Sequence, residues 1–151
     1  MKNIFYTVLS ALAVVFLSAG CQKIDSPIVK DLVGEWHYSA TECGVEEDIY
    51  LSFHENGQFE IYQKVGEGAY WYSTGECSMD KESMVLTGVY SDRYRWKYSY
   101  KVSVGGSILT MTAQEDPSYS VTYKRESIPS EVLQMSLPLT KAGADEVQLF
   151  L

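Results

Sequence analysis

The segment IYLSFHENGQFEI, residues 49–61, decides the fold class. Apolar residues alternate with polar or amphipathic ones up to Phe53, and the alternation resumes at Phe59. A period of two is typical of a strand that buries one face. Between the two runs, Asn56-Gly57 is a strong local signal for a tight hairpin turn. The segment therefore predicts two antiparallel strands joined by a short reversal.

The same alternation extends along the chain in both directions, interrupted at short intervals by turn residues. The predicted strands cover 34–41, 48–54, a segment around Phe59 and Ile61, 70–79, 83–90, 93–102, a segment around Leu109, Met111 and Ala113, and 119–125. Eight sequential antiparallel strands can close into a barrel whose interior is filled by side chains or by one small ligand. We therefore predict an all-β, eight-stranded antiparallel up-and-down barrel. A two-sheet sandwich is the alternative, although its crossings usually need longer connections.

The composition fits one folded domain and argues against one class of partner. The chain has 151 residues, of which 46% are hydrophobic and 21% are charged, which is not the composition of a disordered segment. Its net charge is -8, from 12 Lys and Arg against 20 Asp and Glu. Because nucleic-acid binding relies on basic clusters that displace counterions from phosphates, no nucleic-acid partner is expected.

The first 20 residues have the pattern of a signal peptide. Lys2 precedes an uncharged apolar run that ends in small residues, and the stretch LSAGC at 17–21 resembles the lipobox of bacterial lipoproteins. The resemblance implies cleavage after residue 20, lipid attachment at Cys21 and a tether over 21–30. An ordinary signal peptide followed by a chance cysteine is the alternative. With Gln22 after the cysteine, the expected location is the cell envelope, lipid-anchored in the outer membrane and facing the periplasm.

Residues 31–126 resemble the lipocalin-like domain of small bacterial lipoproteins, a calycin-type β-barrel. The resemblance is carried by Gly34-Glu35-Trp36, by 51–59, by Gly75, by Leu86-Thr87-Gly88 and by Tyr123-Lys124-Arg125. It implies that Trp36 plugs the closed end of the barrel and that Arg125, by strand parity, packs across it. A guanidinium over an indole face gains a cation–π attraction.

Strand parity also predicts which side chains line the opposite, open end. The inward residues there are Tyr38, Ile49, Ile61, Trp71, Tyr90, Trp96, Tyr98, Met111 and Tyr119. Such an aromatic set with phenol hydroxyls suits a small apolar or aromatic ligand held by a few hydrogen bonds. The alternative is that these side chains simply fill a small barrel.

No catalytic constellation, metal site or cofactor is predicted, and the protein is not expected to be an enzyme. His37 and His54 lie on polar faces by parity, and no ligand spacing accompanies them. An enzymatic function would require one of them to converge with carboxylates in space. Cys43 and Cys77 form an even pair, but their predicted positions at opposite ends of the barrel disfavour a disulfide.

Residues 127–151 depart from the strand pattern. Residues 130–135 predict one or two helical turns, residues 141–146 a linker, and residues 147–151 an apolar segment. That last segment could dock on its own barrel, pair with a partner in the envelope, or fray. Two functions follow as hypotheses: a lipid-anchored protein that binds a small apolar molecule in the barrel mouth, or a non-enzymatic interaction module or accessory subunit of an envelope complex.

Overall fold

The computed structural model describes residues 26–139 and 150–151 of the chain. The predictions made for residues 1–20, Cys21 and residues 141–149 lie outside these ranges. The elements are β1 (Gly34–Glu42), β2 (Val45–Phe53), β3 (Gln58–Val65), β4 (Trp71–Asp80), β5 (Val85–Tyr90), β6 (Tyr100–Gly105), β7 (Ile108–Ala113), β8 (Ser120–Arg125), α1 (Ser130–Met135) and β9 (Leu137–Pro138).

The first eight strands form a closed antiparallel barrel. Each strand pairs with its neighbours in sequence, and the circle closes where β1 pairs with β8 through Trp36 with Arg125 and His37 with Lys124. The prediction of an eight-stranded up-and-down barrel is therefore confirmed. The short β9 adds one parallel pairing at the beginning of β4, opposite Trp71.

The turn between β2 and β3 forms as the Asn-Gly signal predicts. Gly57 has a φ of 82°, a left-handed conformation that costs glycine little. A Cβ at this position would lie 2.5 Å from the ring of Pro27 and 2.7 Å from the carbonyl oxygen of Cys77. Glycine is therefore required by the turn and by the close approach of two other segments.

Residues 26–32 cover the closed end of the barrel. Ile28 and Leu32 are fully buried in the main core, and the Met79 amide donates a hydrogen bond of 2.9 Å to the carbonyl of Pro27. The predicted tether over 21–30 thus extends too far toward its C-terminal end, because Pro27 and Ile28 already pack on the barrel. Burying two apolar side chains at the barrel end is favourable, by about 1.5–3 kcal/mol for a large aliphatic side chain.

The predicted strand over 93–102 is the main error in the strand assignment. The strand β6 begins only at Tyr100, and residues 91–99 form a loop joined to β5 by a single bridge between Val89 and Arg95. The indole of Trp96 packs directly on Gly88, where a Cβ would lie 2.3 Å from a ring carbon. The ring sits against the β5 backbone, so the loop turns inward at Trp96. Trp96 is therefore buried, whereas Tyr94 in the same loop is exposed.

The two cysteines in the described part of the chain are both free thiols. Cys43 is exposed in the turn after β1, whereas Cys77 points into the core from β4. Burial raises the pKa of the Cys77 thiol to about 12, so it stays protonated and unreactive at neutral pH. No disulfide joins these two cysteines in the structure.

Helix α1 packs on the outside of the barrel, where one or two helical turns were predicted. Ile128 and Val132 are buried against Tyr50 and Tyr62, which project outward from β2 and β3.

No helix within residues 26–139 and 150–151 combines the length and the apolar character needed to cross a membrane.

The contact between Gly88 and Trp96 gives a stability prediction. Gly88→Ala forces the indole ring away from β5, so we expect the free energy of unfolding to fall by about 1–3 kcal/mol, the usual cost of overpacking a core. Urea denaturation measures this change. Gly105→Ala is the matched control, because nothing lies within 4 Å of a Cβ there. Equal stability of the two variants would contradict the prediction.

Candidate functional site

Trp36 and Arg125 seal one end of the barrel. The Trp36 ring is fully buried, its Nε1 donates to the carbonyl of Leu32 at 2.8 Å, and the Arg125 guanidinium lies 4.1 Å from the ring centroid. Arg125 also donates to the carbonyls of Val33 and Asp31 at 3.0 and 2.7 Å. The contact that the resemblance implied is thus present.

The structure brings most of the predicted mouth residues together. Ile49, Ile61, Tyr90, Trp96 and Met111 are buried in the main core, and Tyr38, Tyr98 and Tyr119 are half-buried against it. Trp71 is half-buried and is not part of that cluster, because it stands at the rim where β9 joins β4. Eight of these nine side chains thus pack in or against the main core, and their contact with a ligand stays a prediction.

The mouth contains two residues that parity did not assign to it, Phe150 and Leu151. Leu151 is only 2% exposed and belongs to the main core. The ring of Phe150 packs at 5.6 Å from the ring of Tyr38 and 6.3 Å from that of Tyr119, distances typical of aromatic pairs. Of the alternatives for the apolar segment, docking on its own barrel is the one observed for these two residues.

Main-chain hydrogen bonds hold the two residues in the mouth. The Phe150 amide donates to Oε1 of Gln63 at 3.3 Å, and the Phe150 carbonyl accepts from the Tyr119 hydroxyl at 3.3 Å. The Leu151 carbonyl oxygen accepts from the Tyr90 hydroxyl at 3.2 Å. Three side chains of the barrel thus form hydrogen bonds with backbone atoms of Phe150 and Leu151. The apolar lining of the mouth contacts the side chains of these two residues.

Two buried polar atoms in the same interior have no hydrogen-bond partner in the described part of the chain. They are Nε1 of Trp96 and Oη of Tyr100, whose rings lie 5.9 Å apart. The residues are 6% and 1% exposed. An unpaired buried polar group costs about 1–3 kcal/mol, so a ligand atom that bonds to either one gains correspondingly.

The interior tyrosines are neutral hydrogen-bond donors. Burial raises the pKa of Tyr119 to about 12, and it raises the pKa values of Tyr90, Tyr100 and Tyr123 further. The cause is the loss of water around a phenolate, which disfavours the charged form. These phenol groups therefore stay neutral and offer hydroxyl donors to the mouth.

The sequence prediction missed Gln63 and Tyr100 as parts of the site. Both have the inward parity of their strands, and Gln63 continues the row that includes Phe59 and Ile61. Gln63 is 2% exposed, so the signal that could have found it was a polar residue at an inward position. Phe150 and Leu151 had no such signal beyond the apolar character of their segment.

Two open grooves lie on the outside of the barrel rather than at the mouth. The larger, of about 530 Å³, runs over β3, β4 and β5 and is lined in part by His54, Thr74 and Arg93. The smaller, of about 430 Å³, lies beside it near Pro27 and Arg95. Tyr90 is the one predicted mouth residue that lines either groove.

His37, which parity placed on the polar face of β1, contacts two carboxylates and an aromatic ring on the outside of the barrel. Its Nε2 lies 2.7 Å from Oδ1 of Asp48, its Nδ1 lies 2.9 Å from Oε2 of Glu126, and its ring stacks on Tyr50 at 4.2 Å. Asp48 also accepts a hydrogen bond from Tyr70.

This cluster of His37, Asp48, Glu126 and Tyr50 connects the barrel to the segment that leads into α1. Both ring nitrogens already bond to carboxylates, so neither is directed at a substrate. In the described residues, no group of three or more His, Cys, Asp or Glu side chains could hold a metal ion. The arrangement is therefore suited to holding the α1 segment on the wall of the barrel.

No family model matches this chain, and comparisons with curated proteins and with solved structures also give no match.

The buried phenols predict how stability changes at alkaline pH. A group whose pKa is raised on folding contributes stability that is complete below its unfolded pKa, near 10, and is lost as the pH rises toward the folded value. We expect the free energy of unfolding to fall above pH 10 by up to about 1.4 kcal/mol per pH unit for each of Tyr90, Tyr100, Tyr119 and Tyr123. Urea denaturation at several pH values, with tyrosinate absorbance, measures it. A constant stability between pH 10 and 12 would contradict this assignment.

The contacts of His37 predict a loss of stability on its removal. His37→Ala eliminates two charge-assisted hydrogen bonds and a stacked ring pair, so we expect the free energy of unfolding to fall by about 1–3 kcal/mol. The control is His54→Ala, because His54 is exposed and lies 3.8 Å from its carboxylate neighbour Glu60. We expect that control to change the free energy by less than about 0.5 kcal/mol. The idea is refuted if both variants unfold at the same urea concentration.

Proposed function

We propose that this protein is a lipid-anchored protein of the cell envelope whose barrel mouth binds a small apolar or aromatic molecule that carries at least one polar group. The observation that carries the proposal is the pair of buried, unpaired polar atoms, Trp96 Nε1 and Tyr100 Oη, within an aromatic interior. Hydroxyl or carbonyl oxygens of a ligand can accept a hydrogen bond from both. The resemblance to the lipocalin-like domain of small lipoproteins supports the same function.

We place the ligand at the mouth of the barrel and not in its closed half. The closed half is filled by Trp36, Leu32 and Ile28. At the mouth, part of the volume is filled by Phe150 and Leu151, which no barrel strand contributes. A ligand of two aromatic rings is similar in size to these two side chains and enters by replacing them.

The anchor is proposed from the segment around Cys21. A cleaved signal peptide and lipidation at this cysteine attach the protein to the outer membrane, on the periplasmic side. Each buried CH₂ of an acyl chain contributes about 0.8 kcal/mol, so several chains give a stable attachment where one does not. The net charge of -8 adds no attraction to anionic lipids, so the acyl chains carry the attachment.

A matched pair of probes tests the ligand site. We expect 2-naphthol to bind at least ten-fold more tightly than naphthalene, because only the hydroxyl can pair with Trp96 and Tyr100, and a ten-fold difference is about 1.4 kcal/mol. Tyr100→Phe should reduce this preference, and Tyr94→Phe, at an exposed tyrosine, should leave it unchanged. Equilibrium dialysis measures all six affinities.

The same dialysis is repeated with Phe150→Ser/Leu151→Ser, in which the two residues no longer fill the mouth. If neither this variant nor the unsubstituted protein binds 2-naphthol, the proposed ligand site is wrong. If 2-naphthol and naphthalene bind equally to both, the assignment of Trp96 and Tyr100 as ligand partners is wrong.

The second candidate function is an interaction module whose C-terminal segment binds another envelope protein. The observation that favours it is the exposure of three apolar side chains after the barrel, Leu133, Met135 and Leu137. Met135 is the most exposed of the three, at 73%.

A further inference from the structure

We propose that the barrel mouth is a receptor for an apolar peptide segment with an aromatic residue followed by leucine, and that Phe150 and Leu151 are its intramolecular occupant. The proposal rests on the proposed function, because it names a class of ligand for the same site. It assigns the mouth a partner of defined chemistry, an extended peptide of another protein that exchanges with residues 150–151.

The first argument is the pattern of hydrogen bonds. A site that binds only a hydrocarbon needs no hydrogen-bonding groups directed at its ligand. Here Gln63 accepts from the Phe150 amide, whereas Tyr119 and Tyr90 donate to the carbonyls of Phe150 and Leu151. One acceptor and two donors match the sequence of main-chain groups along two peptide units.

The second argument is the division between main-chain and side-chain contacts. Phe150 packs its ring against Tyr38 and Tyr119, and Leu151 is buried in the core. Recognition of a peptide by main-chain hydrogen bonds, with apolar pockets that select its side chains, is a recurring mode of peptide binding. The mouth has both parts of that mode.

The third argument is that the occupant can be exchanged. Phe150 and Leu151 belong to no strand of the barrel, and they follow Leu139, whose amide donates to the Tyr72 carbonyl at 2.9 Å outside the barrel. Residues joined to their site through about ten others compete at an effective concentration in the millimolar range. A free peptide therefore binds with reduced apparent affinity until residues 150–151 are removed from the mouth.

The test uses the full chain and a fluorescein-labelled peptide of residues 145–151, with a second peptide in which the residues corresponding to Phe150 and Leu151 are serine. Fluorescence anisotropy gives the dissociation constants. We expect Phe150→Ser/Leu151→Ser to bind the first peptide at least ten-fold more tightly than the unsubstituted protein does, and to leave the serine peptide unbound.

A second set of variants tests the main-chain contacts. Added to Phe150→Ser/Leu151→Ser, Tyr90→Phe/Tyr119→Phe removes the two hydroxyl donors and should weaken the peptide about ten-fold or more, since each hydrogen bond contributes about 1 kcal/mol. Tyr94→Phe is the control and should have no effect. Should the double serine variant fail to fold, which circular dichroism shows, Leu151→Ser alone replaces it.

The outcomes separate this proposal from the one on which it rests. Binding of 2-naphthol without binding of the peptide overturns the peptide receptor and keeps the ligand site. Equal binding of the two peptides, or equal peptide affinity with and without Phe150 and Leu151, also overturns it. Peptide binding that depends on Tyr90 and Tyr119 supports it, whatever the affinity for 2-naphthol.

Discussion

Closure of the sheet between β1 and β8 is the constraint on which the rest of the structure depends. Two residue pairs join these strands, Trp36 with Arg125 and His37 with Lys124, and the Arg125 guanidinium lies over the Trp36 ring at the same junction. A closed sheet leaves no free edge among its eight strands and gives the interior only two ends. Because Trp36 seals one end, the proposed function places the ligand against the aromatic lining toward the other end.

That lining combines apolar surface with donors that keep their protons. Burial disfavours the phenolate, so the hydroxyls of Tyr90 and Tyr119 remain donors over the physiological range and bond to carbonyl oxygens. Gln63 adds an acceptor at an inward position of β3. In the proposed function, these fixed polar atoms select among apolar ligands. On the outside of the same barrel, the contacts of His37 with Asp48 and Glu126 hold the α1 segment against the wall.

Much of the fold could be predicted because strand parity and turn chemistry are local. The hairpin around Gly57 and the inward rows of β2 and β3 follow from a few neighbouring residues. The strand predicted over 93–102 was wrong because its boundary depends on a contact between Trp96 and Gly88, which no local pattern reveals. The environment of His37 was missed for the same reason, since its partner Glu126 lies 89 residues away in the sequence.

The sequence by itself determined the fold class, the number of barrel strands and the side of each strand that faces inward, because alternation with a period of two is a property of neighbouring residues. The tertiary structure alone decided that residues 150 and 151 occupy the mouth and that, among the described residues, nothing pairs with the buried polar atoms of Trp96 and Tyr100. These features depend on which side chains meet after closure. Closure juxtaposes residues as distant as Gln63 and Phe150, and no pattern within either segment specifies their contact.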